Sequence, residues 1–134
     1  MDRLFLDASV LFSAAYGAGS PLRRLWQFKG AELVTSGYAV AEARRNLETK
    51  EQRDRLETLL VGMRMVGESE EPELPPGVTL RDKDIPILCA AIAATASHLL
   101  TLDLRDFRAY LGKSVQGVMV LHPRDYQPAK TRVK

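Results

Sequence analysis

The sequence predicts an α/β fold, an open parallel sheet of four or five strands with helices on both faces. Three observations carry this expectation. Short apolar runs alternate with segments of helical spacing along nearly the whole chain, which is the signature of a covered parallel sheet. The runs are continuous rather than alternating, as strands buried on both faces require. A length of 134 residues suits one domain able to bury its own core without a disulfide or structural metal.

The elements follow in order. Leu4-Phe5-Leu6 reads as the first buried strand and Pro21 to Phe28 as a helical segment. Leu33-Val34 marks the second strand. Tyr38 to Val61 has helical spacing with a break near Thr49-Lys50, and Met63 to Val66 is the third apolar run. Glu68 to Pro76, ESEEPELPP, is acidic and proline-rich and is expected as a surface loop. Ile85 to Ala96 is the next helix. Leu99-Leu100, a helical segment over Leu104 to Leu111, and the run Val118 to Leu121 complete the pattern. The expected domain spans residues 1–126, and 127–134 form a basic C-terminal tail, rich in Lys130, Arg132 and Lys134.

Composition narrows the function. Cys89 is the single cysteine and there are two histidines, so a closed sulfur and nitrogen zinc cage is excluded and oxygen ligands remain for any metal. A lone cysteine fits a reducing, cytoplasmic setting. No run is long enough to span a membrane, and Asp7 interrupts the apolar stretch Leu4 to Ala15 that a secretory signal would need unbroken. The net charge of +2 does not by itself call for nucleic acid.

The chemistry-bearing residues stand at the ends of strands, where open parallel sheets bind their ligands. Leu4-Phe5-Leu6 delivers Asp7, and Leu99-Leu100-Thr101-Leu102 delivers Asp103. If the two strands are neighbours, about 4.8 Å apart, both carboxylates come within reach of one cation. Ser9 and Thr101 could add hydroxyls. The alternative for Asp7 and Asp103 is that each caps the helix after it. Asp84 precedes Ile85-Pro86 and is equally readable as an N-cap or as a ligand capping with one oxygen and ligating with the other. Asp82 competes with it for either role. Glu42, on a helix with Val40 and Leu47, reads as a ligand or as a surface partner of Arg45.

Taken together, Leu6-Asp7-Ala8-Ser9-Val10-Leu11, Thr35-Ser36 followed by Glu42, Asp84-Ile85-Pro86-Ile87-Leu88-Cys89-Ala90-Ala91 and Leu100-Thr101-Leu102-Asp103-Leu104-Arg105-Asp106-Phe107 resemble the PIN domain, in particular its VapC-like bacterial toxin branch. The resemblance runs from Leu4 to about Tyr126. It implies a Rossmann-like PIN fold whose acids, Asp7, Glu42, Asp84 and Asp103, bind Mg2+ or Mn2+ and cleave single-stranded RNA. Ser9 and Thr101 match the family's small polar positions. It also implies a small antitoxin partner that inserts a basic side chain into the acidic pocket, and a homodimer. Two departures stand out: Leu102 occupies a place where many members have glycine, and Asp106 is an additional acid able to share or replace a ligand.

Carboxylates are hard ligands suited to such cations, and one ion or two are both compatible with the pattern. Arg23, Arg24, Arg44, Arg45 and Arg105 are candidate phosphate contacts. A catalytically silent PIN-fold module that binds RNA or protein is an alternative. A phospho-receiver signalling domain fits less well, because Asp7 is followed by Ala8 where adjacent acids are needed, and the last strand leads to His122-Pro123 rather than a lysine. A phosphatase with an aspartate nucleophile would want an acid where Ser9 stands.

Overall fold

The structure, a computed structural model, describes residues 1–128. It has a single six-stranded sheet: β1 (Asp2–Leu6), β2 (Ala31–Ser36), β3 (Arg64–Val66), β4 (His98–Leu100), β5 (Ser114–Val115) and β6 (Val118–Leu121), in the order β3-β2-β1-β4-β6-β5. Every neighbouring pair is parallel except β5 with β6. Among the described residues four α-helices accompany it: α1 (Ala8–Tyr16), α2 (Gly37–Asn46), α3 (Lys50–Val61) and α4 (Ile85–Ala93). This is the Rossmann-like α/β architecture expected of a PIN fold. No helix among the described residues is long and apolar enough to cross a membrane.

Burial explains the continuous apolar runs. Leu4, Phe5 and Leu6 are each fully buried, and because successive strand side chains point to opposite faces, both faces of β1 must be covered. Each such side chain contributes roughly 1.5–3 kcal/mol relative to exposure. Leu99 and Leu100 of β4 repeat the arrangement. The helix break anticipated near Thr49-Lys50 is real: Thr49 caps α3, its hydroxyl accepting from the Gln52 amide while the Gln52 side chain accepts from the Thr49 amide.

Four elements depart from the sequence reading. The sheet gains the two-residue β5, joined to β6 through Gln116 (φ 50°) and Gly117 (φ 87°). Positive φ at both central positions makes the tight hairpin that matches strand twist, and so short a strand carries no apolar run to detect. Leu104 to Leu111 is not an α-helix but a set of turns followed by a single 3-10 turn at Arg108–Tyr110. Eight residues rarely sustain a helix without tertiary help, and here the Tyr110 hydroxyl is tied to the Thr79 backbone while Leu111 bridges to Val120. Pro21–Gln27 is 3-10 rather than α, started by the Ser20 hydroxyl. The loop at Glu68 to Pro76 contains neither helix nor strand. Lys130, Arg132 and Lys134 of the expected basic tail lie outside the described residues.

Helix α4 stops three residues before the expected Ala96 because Thr95 turns left-handed, at φ 52°. The Thr95 amide donates to Ile92 O and the Ala96 amide to Ala91 O, the hydrogen-bond pair of a Schellman ending usually built on glycine. A β-branched residue there is strained by roughly 1–2 kcal/mol. Its hydroxyl accepts from Arg3 at 3.0 Å and donates to Ala94 O. Thr95→Gly is therefore expected to raise unfolding stability by about 0.5–1 kcal/mol in urea. A loss of stability would show that the hydroxyl contacts outweigh the strain.

Candidate metal centre

Strand register assembles the site. Leu6 pairs with Leu100 across β1 and β4, so the next residues, Asp7 and Thr101, leave the sheet together at its carboxyl edge. Asp7 is 4% exposed. Its Oδ1 accepts from the Ala8 amide at 2.7 Å, and its Oδ2 accepts from the Ser9 hydroxyl at 3.0 Å and the Thr101 hydroxyl at 2.6 Å. The same hydroxyls reach the other turn: Ser9 Oγ accepts from the Leu102 amide, and Thr101 Oγ1 from the Asp103 amide. Two small side chains thus cross-tie the β1 and β4 exits. Burial pushes the Asp7 carboxyl above its usual range, against the three hydrogen bonds that lower it, and nearby Asp103 adds to the rise.

Asp103 caps no α-helix, because turns follow it, but its carboxylate faces the cleft. Its Oδ1 accepts from the Asp106 amide at 3.3 Å and holds the turn, while Oδ2 faces Lys83 Nζ at 3.0 Å. Asp7, by contrast, caps α1 while lining the cleft.

Asp84 corrects the capping reading. It stands at the start of α4 but makes no side-chain cap hydrogen bond. It is 3% exposed, and among the described residues no donor reaches its Oδ2. A buried carboxylate oxygen left without a donor costs several kcal/mol unless the group is protonated or meets a cation. Burial pushes the Asp84 carboxyl up to about 7; Lys83 opposes the shift, while Asp106, Asp7 and Asp103 reinforce it. Burial also disfavours charge on Asp106, but Lys83 and the adjoining Asp84 and Asp103 outweigh it and hold that carboxyl low.

The tight cluster is Asp84, Asp103 and Asp106, whose carboxylate oxygens lie within 4.8 Å of one another. Asp106 therefore stands where the sequence placed only a supporting acid. Asp7 and Glu42 line the same cleft, of about 620 Å3, without joining that cluster. Glu42 is half-buried on α2. Asp82 is exposed and outside the cleft lining. The donor set is all carboxylate, and the buried Asp84 oxygen lacks a donor, so the residues fit a hard divalent cation.

Lys83 was missed by the sequence reading, although its position between Asp82 and Asp84 was a signal. Its Nζ lies 3.0 Å from Asp103, 3.3 Å from Asp106 and 3.5 Å from Asp84. Although burial disfavours its charge, Asp103, Asp84 and Asp106 hold the ammonium above its usual range. Tyr38 of α2 fixes the backbone here, its hydroxyl donating to Lys83 O at 2.8 Å. Among the candidate phosphate contacts, Arg23 donates to Ala18 O, Arg24 to Pro123 O, and Arg44 pairs with Glu57, whereas Arg45 and Arg105 are exposed.

A solved structure described as VapBC2 from Rickettsia felis bound to a DNA fragment from their promoter matches this fold with a TM-score of 0.66. The match covers 88% of this chain and 96% of the other at 16% identity. No family model matches the sequence, and no curated protein matches it. The likeness is one of fold.

The Asp84 shift has a sign that can be tested. The unfolded carboxyl releases its proton near 3.8, whereas the folded one keeps it to about 7. In that window the native state binds more protons, so Asp84 costs stability as pH rises from about 4 to about 7. In EDTA, Asp84→Asn is expected to remove this component and to match or exceed the parent's melting temperature at pH 8. Parallel pH profiles for the two proteins would show that Asp84 titrates normally.

Proposed function

We propose that the chain is a divalent-metal-dependent ribonuclease acting on single-stranded RNA, the toxin of a toxin–antitoxin pair. The observation that supports this most is the convergence of the Asp84, Asp103 and Asp106 carboxylates to within 4.8 Å, with one buried oxygen of Asp84 left without a donor.

In this reading Asp84, Asp103 and Asp106 would hold Mg2+ or Mn2+, with Asp7 and Glu42 on the wall of the same cleft. When bound, such an ion supplies Lewis-acid chemistry, acidifying water and neutralising charge that gathers on the phosphate. The chain's own residues do the rest. Asp7 is held in one orientation by Ser9, Thr101 and the Ala8 amide, and its Oδ1, which accepts one hydrogen bond against two at Oδ2, keeps the greater capacity to orient water or take a proton. Phe12 and Leu102 add apolar wall to the cleft, against which an unpaired base could pack. Arg45 and Arg105 supply exposed positive charge for the flanking backbone. A small antitoxin partner is in keeping with a structural neighbour drawn from a VapBC2 complex; a homodimer and a cytoplasmic location complete the proposal.

A single-stranded RNA cleavage assay tests it. Cleavage is expected with Mg2+ or Mn2+, none in EDTA, and a loss of at least about 100-fold for Asp7→Asn, Asp103→Asn and Asp106→Asn. Cleavage that persists in EDTA in all three variants would remove the assignment.

A further inference from the structure

Among the described residues Lys83 is the one cation paired with all three acids of the cluster; Arg81 pairs with Asp106 alone, at 3.6 Å. The Lys83 ammonium lies within 3.5 Å of carboxylate oxygens of Asp84, Asp103 and Asp106, the same three residues whose oxygens converge to within 4.8 Å. An ammonium is a compact point charge with three donors, and here it donates to Asp103 and Asp84 and pairs with Asp106. We infer that Lys83 is a built-in counter-cation that occupies the place of the divalent ion, so that metal and Lys83 bind the cluster in competition and loading the site expels the lysine. This rests on the proposed metal site and adds its regulation.

The surroundings allow such an exchange. The Lys83 side chain is 43% exposed, so its head can withdraw into water while the stem remains on the rim. The backbone need not move with it, because Tyr38 holds Lys83 O and the Asp84 amide donates to Arg81 O. A divalent ion satisfies the acids as the ammonium does, and also offers coordination to the Asp84 oxygen that no donor reaches. The two occupants cannot coexist at contact distance, since a divalent cation among the same oxygens would repel the ammonium. The consequence is a site whose metal affinity is lowered by its own chain. Without metal, the acids remain partly neutralised.

Mn2+ titration by calorimetry in the intact protein, comparing the parent with Lys83→Met and Lys83→Gln, tests the competition. Both variants are expected to bind Mn2+ about 10-fold or more tighter than the parent, and to melt lower than it in EDTA. The parent alone gives a second readout. Reductive methylation of Lys83, followed by peptide mass spectrometry, is expected to be several-fold faster at saturating Mg2+ than in EDTA, relative to Lys50 and Lys113. Unchanged or weaker Mn2+ affinity in both variants, or Lys83 modification indifferent to Mg2+ in a parent that binds Mn2+, would overturn the inference and leave the metal site standing. If neither the parent nor the variants bind Mn2+, the metal site falls and the competition falls with it.

Discussion

Parallel pairing of β1 with β4 sets Leu6 against Leu100, and from that register the rest of the cleft follows. Asp7 and the Thr101 to Asp103 turn must leave the sheet side by side, and α4 begins close enough to add Asp84. The result concentrates carboxylates at one edge, where two like charges at 4 Å repel by roughly 4 kcal/mol at an effective dielectric of 20. The fold meets this in three ways. Hydrogen bonds from Ser9, Thr101 and the Ala8 amide hold Asp7. The Lys83 ammonium answers Asp103, Asp106 and Asp84. Asp84 keeps its proton to about 7.

Only the last of these leaves a group unsatisfied. Asp7 has donors on both oxygens, and Asp103 has the Asp106 amide and Lys83. The Asp84 Oδ2 has burial without a donor, and the start of α4 at Ile85-Pro86 gives its side chain no cap hydrogen bond. Native proteins keep such unsatisfied groups rarely, and an ion absent from the protein's own atoms is one established reason. The fit of Asp84 to a metal and its cost to the metal-free protein therefore have the same origin.

The sheet, both halves of the α2 and α3 pair, and the edge on which acids gather were legible in the sequence because continuous apolar runs mean strands buried on both faces. Leu4-Phe5-Leu6 and Leu99-Leu100 carried that signal directly. What was illegible depended on short or tertiary features. A two-residue β5 has no periodicity, and the Leu104 to Leu111 segment had helical spacing but takes its shape from the Tyr110 and Leu111 ties. Within the site, Asp7, Asp84 and Asp103 were found by their position after a strand or before a helix. Asp106 was undervalued because the turn that brings it back towards Asp84 is closed by the Asp103 carboxylate, a contact no spacing rule encodes. Lys83 escaped because a lysine among aspartates in sequence ordinarily means a solvated surface.

The likeness to the Rickettsia felis VapBC2 structure extends over most of both chains at 16% identity, which fits a fold maintained by buried apolar pattern rather than by particular residues. The most direct measurement is a crystal structure at saturating Mn2+ with anomalous diffraction at the manganese edge. A peak is expected in the cleft with oxygens of Asp84, Asp103 and Asp106 as ligands, the Asp84 Oδ2 no longer without a partner. Well-ordered crystals with no manganese peak in this cleft, and these carboxylates arranged as they are without metal, would contradict it.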